Sequence, residues 1–165
     1  MINIKNTALH FLYIYYNLEN ENNMTDNFEH FNPSPDFKPL KNGKIKQWKK
    51  KDDLVRAICA ATGLQWLNVL PLVLESSFST FDMPDSDESV NLTLSKLGYT
   101  KTSLGRMKKG TLRPTVAEFA KDHKTETCIV KTPNYYVCVK DGKVLDALDS
   151  TAFKVFSWYT ISEND

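Results

Sequence analysis

Histidine and cysteine are scarce in this chain, with three of each in 165 residues. Three cysteines are an odd number, and none stands at a spacing that holds a metal. A disulfide framework and a zinc site are therefore excluded, and a reducing, cytoplasmic setting is the expectation. Cys59, Cys128 and Cys138 are expected as buried free thiols, since unpaired cysteine packs as a small apolar residue. His10, His30 and His123 are scattered, none at ligand spacing from an acid or a cysteine pair, so neither a metal nor a cofactor is expected. No apolar run approaches the roughly 20 residues that span a bilayer. The stretch 8–16 lacks both the basic start and the small-residue cleavage site of a signal peptide, so no membrane partner and no secretion are expected. Charge of neither sign prevails: the net value is +1, which argues against a surface uniformly seeking nucleic acid and leaves room for local patches.

What is present is enough apolar material, 41% of residues, for one domain with a sizeable core. Residues 1–51 read as an N-terminal extension ending in a basic arm, and residues 52–165 as the domain. Two readings of residues 1–23 stand side by side: an extension upstream of a translation start at Met24, or an added helix on the domain surface. The arm carries Pro33, Pro35 and Pro39, then an Asn42-Gly43 turn. From Lys38 to Lys51 it holds seven lysines and no acid, with Trp48 among them.

Asp52 or Asp53 opens a helix, favoured there as a cap and by the helix dipole. Leu54, Ile58 and Ala61 form its buried stripe, Asp52 and Arg56 pair on its surface, and Gly63 ends it. A second helix is expected from Leu64 to about Leu74, kinked or interrupted at Pro71. A loop follows over 76–88 and a short helix over 89–97. Thr115 and Glu118 are spaced as a capping box, and His123 closes the helix they start. After His123 the apolar period becomes two, which predicts strands over 127–131, 135–140 and 143–145, with Asp141-Gly142 as a hairpin turn, and a last aromatic strand over 153–161. Helices first and strands last define an α+β class, N-terminal helices packed on a C-terminal antiparallel sheet.

Four blocks in order resemble the papain-like cysteine peptidases of phage and bacterial genomes, over about residues 50–160. They are Asp52-Asp53-Leu54-Val55-Arg56-Ala57-Ile58, Leu97-Gly98-Tyr99, the segment Arg113 to His123 with its Thr115-Val116-Ala117-Glu118-Phe119, and Tyr135 to Ser150. The resemblance implies a papain-like fold. It also implies that Asp53 stands where the family keeps its nucleophilic cysteine. Tyr135, six residues before Asp141, takes the place of the catalytic histidine. Asp149 takes the place of the orienting Asn or Asp, with Asp146 as second choice. Gln47, six residues before Asp53, matches the oxyanion-hole glutamine.

A thiolate and a base are both needed for this chemistry, and both positions are changed. A carboxylate at a helix N-terminus is held charged and makes a poor acid, and a tyrosine of pKa about 10 makes a poor base. The expectation is therefore a protein that is not an enzyme, with Asp53 and Tyr135 facing each other, joined directly or through water. Its expected role is binding of a protein or peptide in the former substrate cleft, with the gene carried by a phage or mobile element and a host or virion protein as partner. The alternative is association with nucleic acid through the basic stretches 38–51 and 101–113, with Trp48, Lys49, Lys50, Lys51, Arg106, Lys108 and Lys109 as contacts and Trp48 stacking on bases. A structural role in a virion is the third reading.

Overall fold

The computed structural model describes residues 27–34, 52–108 and 110–161, and the architecture follows from three local devices. Helix α1 (Asp53–Thr62) is apolar through Leu54, Val55, Ala57, Ile58, Cys59 and Ala60, all buried, and stops at Gly63 with φ 75. Helix α2 (Trp66–Thr80) packs on it, followed by α3 (Asp87–Lys96), whose cap Ser86 accepts from the Ser89 N–H at 3.2 Å. Helix α4 (Val116–Asp122) starts with the full capping box: Glu118 N–H donates to Thr115 Oγ1, and Glu118 Oε2 accepts from Thr115 N–H. His123 closes that helix, its ring stacked on Phe119 at 3.7 Å and Nδ1 2.9 Å from the Phe119 carbonyl.

The strands are β1 (Phe28–His30), β2 (Tyr99–Ser103), β3 (Thr127–Lys131), β4 (Tyr136–Lys140), β5 (Lys143–Asp146) and β6 (Ser157–Ile161). Among the described residues they form one six-stranded sheet in the order β1-β5-β4-β3-β6-β2. Asp141 and Gly142 have φ 52 and 75, the two positive values of a tight hairpin, and they join β4 to β5 with Lys140 opposite Lys143. Strands β3 and β4 are buried nearly throughout because both faces are covered. Ile129 and Tyr136 pack with Leu54, Ile58, Val69, Val73, Val90 and Leu94 of α1, α2 and α3. Cys128, Val130, Val137 and Val139 meet Val116, Phe119 and Ala120 of α4. The result is a three-layer α+β domain.

Five expectations need correcting. The sheet is mixed, not antiparallel, because β1 runs parallel to β5. That same strand lies in the segment read as an extension, so residues 28–30 belong to the domain. Helix α2 runs to Thr80 and takes Ser76–Thr80 out of the predicted loop. Pro71 is exposed, on a side where the carbonyl it leaves unpaired can be hydrated, and the helix passes through it. Strand β2 was not anticipated: only Tyr99 of its five residues is buried, so it shows no alternation. The last strand begins at Ser157, not at 153, because Thr115 and Pro114 take up Lys154 and Val155 by backbone pairing.

Gly142 has a further constraint. A Cβ there would lie 3.4 Å from Lys124 Cγ and 3.5 Å from the Ala120 carbonyl. Gly142→Ala is expected to cost about 1 kcal/mol from its positive φ, read as a lower urea midpoint with unchanged slope.

Candidate functional site

Of the residues matched by resemblance to a peptidase site, Tyr135 and the second-choice Asp146 meet at one guanidinium, that of Arg56. Arg56 points from α1 toward the end of β5 and is buried, with 6% of its side chain exposed. Its Nη1 donates to Asp52 Oδ1, and its Nη2 donates to the Tyr135 hydroxyl at 2.6 Å and to Asp146 Oδ1 at 3.5 Å. The Tyr135 hydroxyl in turn donates to Asp146 Oδ1 at 3.1 Å. Asp52 also accepts from Ser34 Oγ at 2.6 Å and from Trp66 Nε1 at 3.3 Å. The carboxylate of the residue that opens α1 is thus turned to side chains and makes no cap bond to its own helix.

Asp53 is the first residue of α1. Its Oδ2 accepts from the Tyr136 N–H at 2.7 Å, which pins the helix start to the head of β4. Tyr135 therefore stands beside Asp53 in the fold, but its hydroxyl turns to Asp146 rather than to Asp53. The direct donation to Asp53 is not made, because a phenol has a single proton and here gives it to Asp146. Asp146, the second choice, lies at that hydroxyl. Asp149 lies beyond the strand, exposed, and accepts from Thr151 N–H at 3.0 Å and Thr151 Oγ1 at 2.5 Å. The Tyr135 ring meets Phe153 edge-on at 5.6 Å.

Electrostatics follow burial. Desolvation pushes the Asp53 carboxyl above the usual range, with the Tyr136 N–H and Arg56 opposing it. Burial therefore acts on Asp53 in the opposite direction to the helix end, which favours the charged form. Desolvation also raises Asp146 against the pull of Arg56. The Tyr135 hydroxyl is raised by burial and then by the Asp146 charge. Arg56 loses to burial but gains from Tyr135, Asp52 and Asp146, and ends more firmly protonated. The Asp52–Arg56 pair, expected on the surface, is thus the centre of a buried cluster.

The three cysteines lie elsewhere and are buried and free. Burial pushes Cys59 up to about 11, and Cys128 and Cys138 each up to about 12. Such thiols are poor nucleophiles near neutrality. Among the described residues no group of three His, Cys, Asp or Glu side chains is placed to hold a metal ion. Among those residues, too, no helix is long and apolar enough to cross a membrane.

Gln47, Trp48, Lys49, Lys50, Lys51 and Lys109 lie outside the described residues. Arg106 and Lys108 are exposed in the connection after β2. Arg113, from the same basic stretch, packs its guanidinium 4.0 Å from the centre of the Phe156 ring and donates to the Gly105 carbonyl at 3.2 Å. Sequence reasoning missed Ser34 and Trp66, and misjudged Arg56. The available signal was a lone charge inside the buried run of α1. For Asp146 the signal was its step of two from the buried Val144.

No family model, curated protein or solved structure matches the chain.

Proposed function

We propose that this chain is a catalytically inactive papain-like domain that works as a protein- or peptide-binding module, carried by a phage or mobile element and directed at a host or virion protein. What supports the reading is the closed Arg56 cluster at the head of α1. A cysteine peptidase needs a free thiolate and a free base there. Here Asp53 is bonded to the Tyr136 N–H, and Tyr135 is bonded between Arg56 and Asp146. Phe153, 42% exposed, packs on Tyr135 of the cluster, and Leu148, two residues past Asp146 in the chain, is 47% exposed. A rigid base with two apolar side chains open to water suits capture of an extended peptide.

The alternative, nucleic acid, draws on the 38–51 arm with Trp48, which lies outside the described residues, and on 101–113, where Arg106 and Lys108 are exposed and Arg113 is engaged by Phe156 and two carbonyls. Selection from a displayed peptide library separates the two. The expected result is a peptide whose binding tolerates added salt and falls about tenfold, the loss of roughly 1.4 kcal/mol, in Phe153→Ser. Binding only to single-stranded nucleic acid, with a steep fall in added salt, would refute the proposal.

A further inference from the structure

Helix α2 is apolar on both sides. Val69, Val73 and Ser76 are buried, yet Leu67, Leu74 and Phe78 on the other side are 64%, 40% and 80% exposed, with Pro71 exposed between them. Positions 67, 71, 74 and 78 fall on one helical stripe. A shallow concavity of about 530 Å³ runs along it between Pro71, Leu74, Glu75, Phe78 and Ser79. Past the helix end, Phe81 is held at φ 55 and is 98% exposed, and Met83 is 66% exposed. A bulky residue in the left-handed region costs free energy. A phenyl ring left in water adds to that cost and contributes to neither core. Phe81 is the C-cap of α2, its N–H bonded to the Phe78 and Ser77 carbonyls, a position usually given to glycine and here occupied by an exposed aromatic.

Charge tells what would cover the stripe. Residues 64–97 hold five acids, Glu75, Asp82, Asp85, Asp87 and Glu88, against Lys96 alone. Lys96 is paired with Glu75 at 2.9 Å, and Asp87 is paired with Lys131. With Lys96 and Lys131 already engaged, a second copy laid on this face would set Asp82 and Glu88 against the same two acids. A partner with its own lysines or arginines would neutralise them. The stripe is also about three helical turns long, the length over which another helix can set its ridges into the grooves of α2.

We propose that the α2 stripe and the acidic turn after it dock a basic amphipathic helix of another protein. Its apolar side chains would lie along Leu67, Pro71, Leu74 and Phe78, and its cations against Asp82 and Glu88. This rests on the reading that the chain works by binding, and it assigns a second surface, separate from the one at Phe153.

The test uses the full chain and a fluorescent 14-residue peptide of leucine and lysine, leucines at helical spacing, beside a twin with glutamate in place of lysine. The lysine peptide is expected to bind, to lose about tenfold in affinity or more to the pair Phe78→Ser and Phe81→Ser, and to weaken with Asp82→Lys plus Glu88→Lys. The glutamate twin is expected not to bind. All four positions are exposed, so the variants should stay folded at the assay temperature; the charge pair should lower the thermal midpoint modestly, since Glu88 lies in the first turn of α3 and Asp82 accepts from the Met83 N–H. Equal affinity for both peptides, or no loss in the double phenylalanine variant, would overturn the proposal. So would self-association of the free protein that Phe78→Ser abolishes, which assigns the face to a second copy. If the lysine peptide fails while Phe153-dependent capture persists, only this proposal falls. In the converse case only the earlier reading falls.

Discussion

Arg56→Met should cost about 3–5 kcal/mol of folding free energy at pH 7, the range for removing one partner of a buried ion pair. Methionine replaces the aliphatic stem closely enough, so the loss is electrostatic. Asp52 and Asp146 would be left buried without their cation, and Tyr135 would lose its donor. The pH dependence identifies the cause. Asp53 and Asp146 have folded-state pKa values raised by burial. Their contribution is fully present below the unfolded carboxylate value, about 3.9, and is lost as pH rises through the raised values. Removing Arg56 removes the charge that opposes that rise, so the two values climb further. The gap between variant and wild type should widen from pH 4 to pH 7. Urea unfolding at several pH values measures it, and a gap that does not change with pH would deny the cluster its electrostatic role.

Ile58→Ala provides the contrast. Ile58 is fully buried on α1, in the cluster that joins α1 to α2, α3 and the sheet. Its truncation is expected to cost about 2–5 kcal/mol, through lost transfer energy and the cavity left behind. No titratable group is uncovered, so this deficit should stay constant over the same pH range. The two variants weaken one helix by comparable amounts and separate by their pH profiles.

Local chemistry made part of this fold legible before any coordinates. The strand Thr127–Lys131, the positive-φ pair Asp141-Gly142 and the Thr115–Glu118 box stand as read, although burial runs through the three central residues of that strand instead of alternating. The helix past Pro71 and the strand Tyr99–Ser103 were less legible. The first is held by packing of Val73 and Ser76, and the second by pairing with β6, neither of which is a local signal. The site divides the same way. An i,i+4 spacing shows that Asp52 and Arg56 can meet. Whether water reaches them depends on Ser34, Trp66, Tyr135 and Asp146, which arrive from other elements. Choosing between Asp146 and Asp149 required knowing where β5 leaves the sheet, and the chain turns away immediately after Asp146.

The reading that this domain binds without cleaving is tested most directly by incubating the purified protein and its Asp53→Ala variant with thiol-protease substrates, and with a thiol-reactive electrophile followed by intact-mass spectrometry. The account predicts no turnover above buffer for either protein, and no modification of Cys59, Cys128 or Cys138 under native conditions. Turnover that Asp53→Ala abolishes, or an activity killed by modification of one of those thiols, would contradict it.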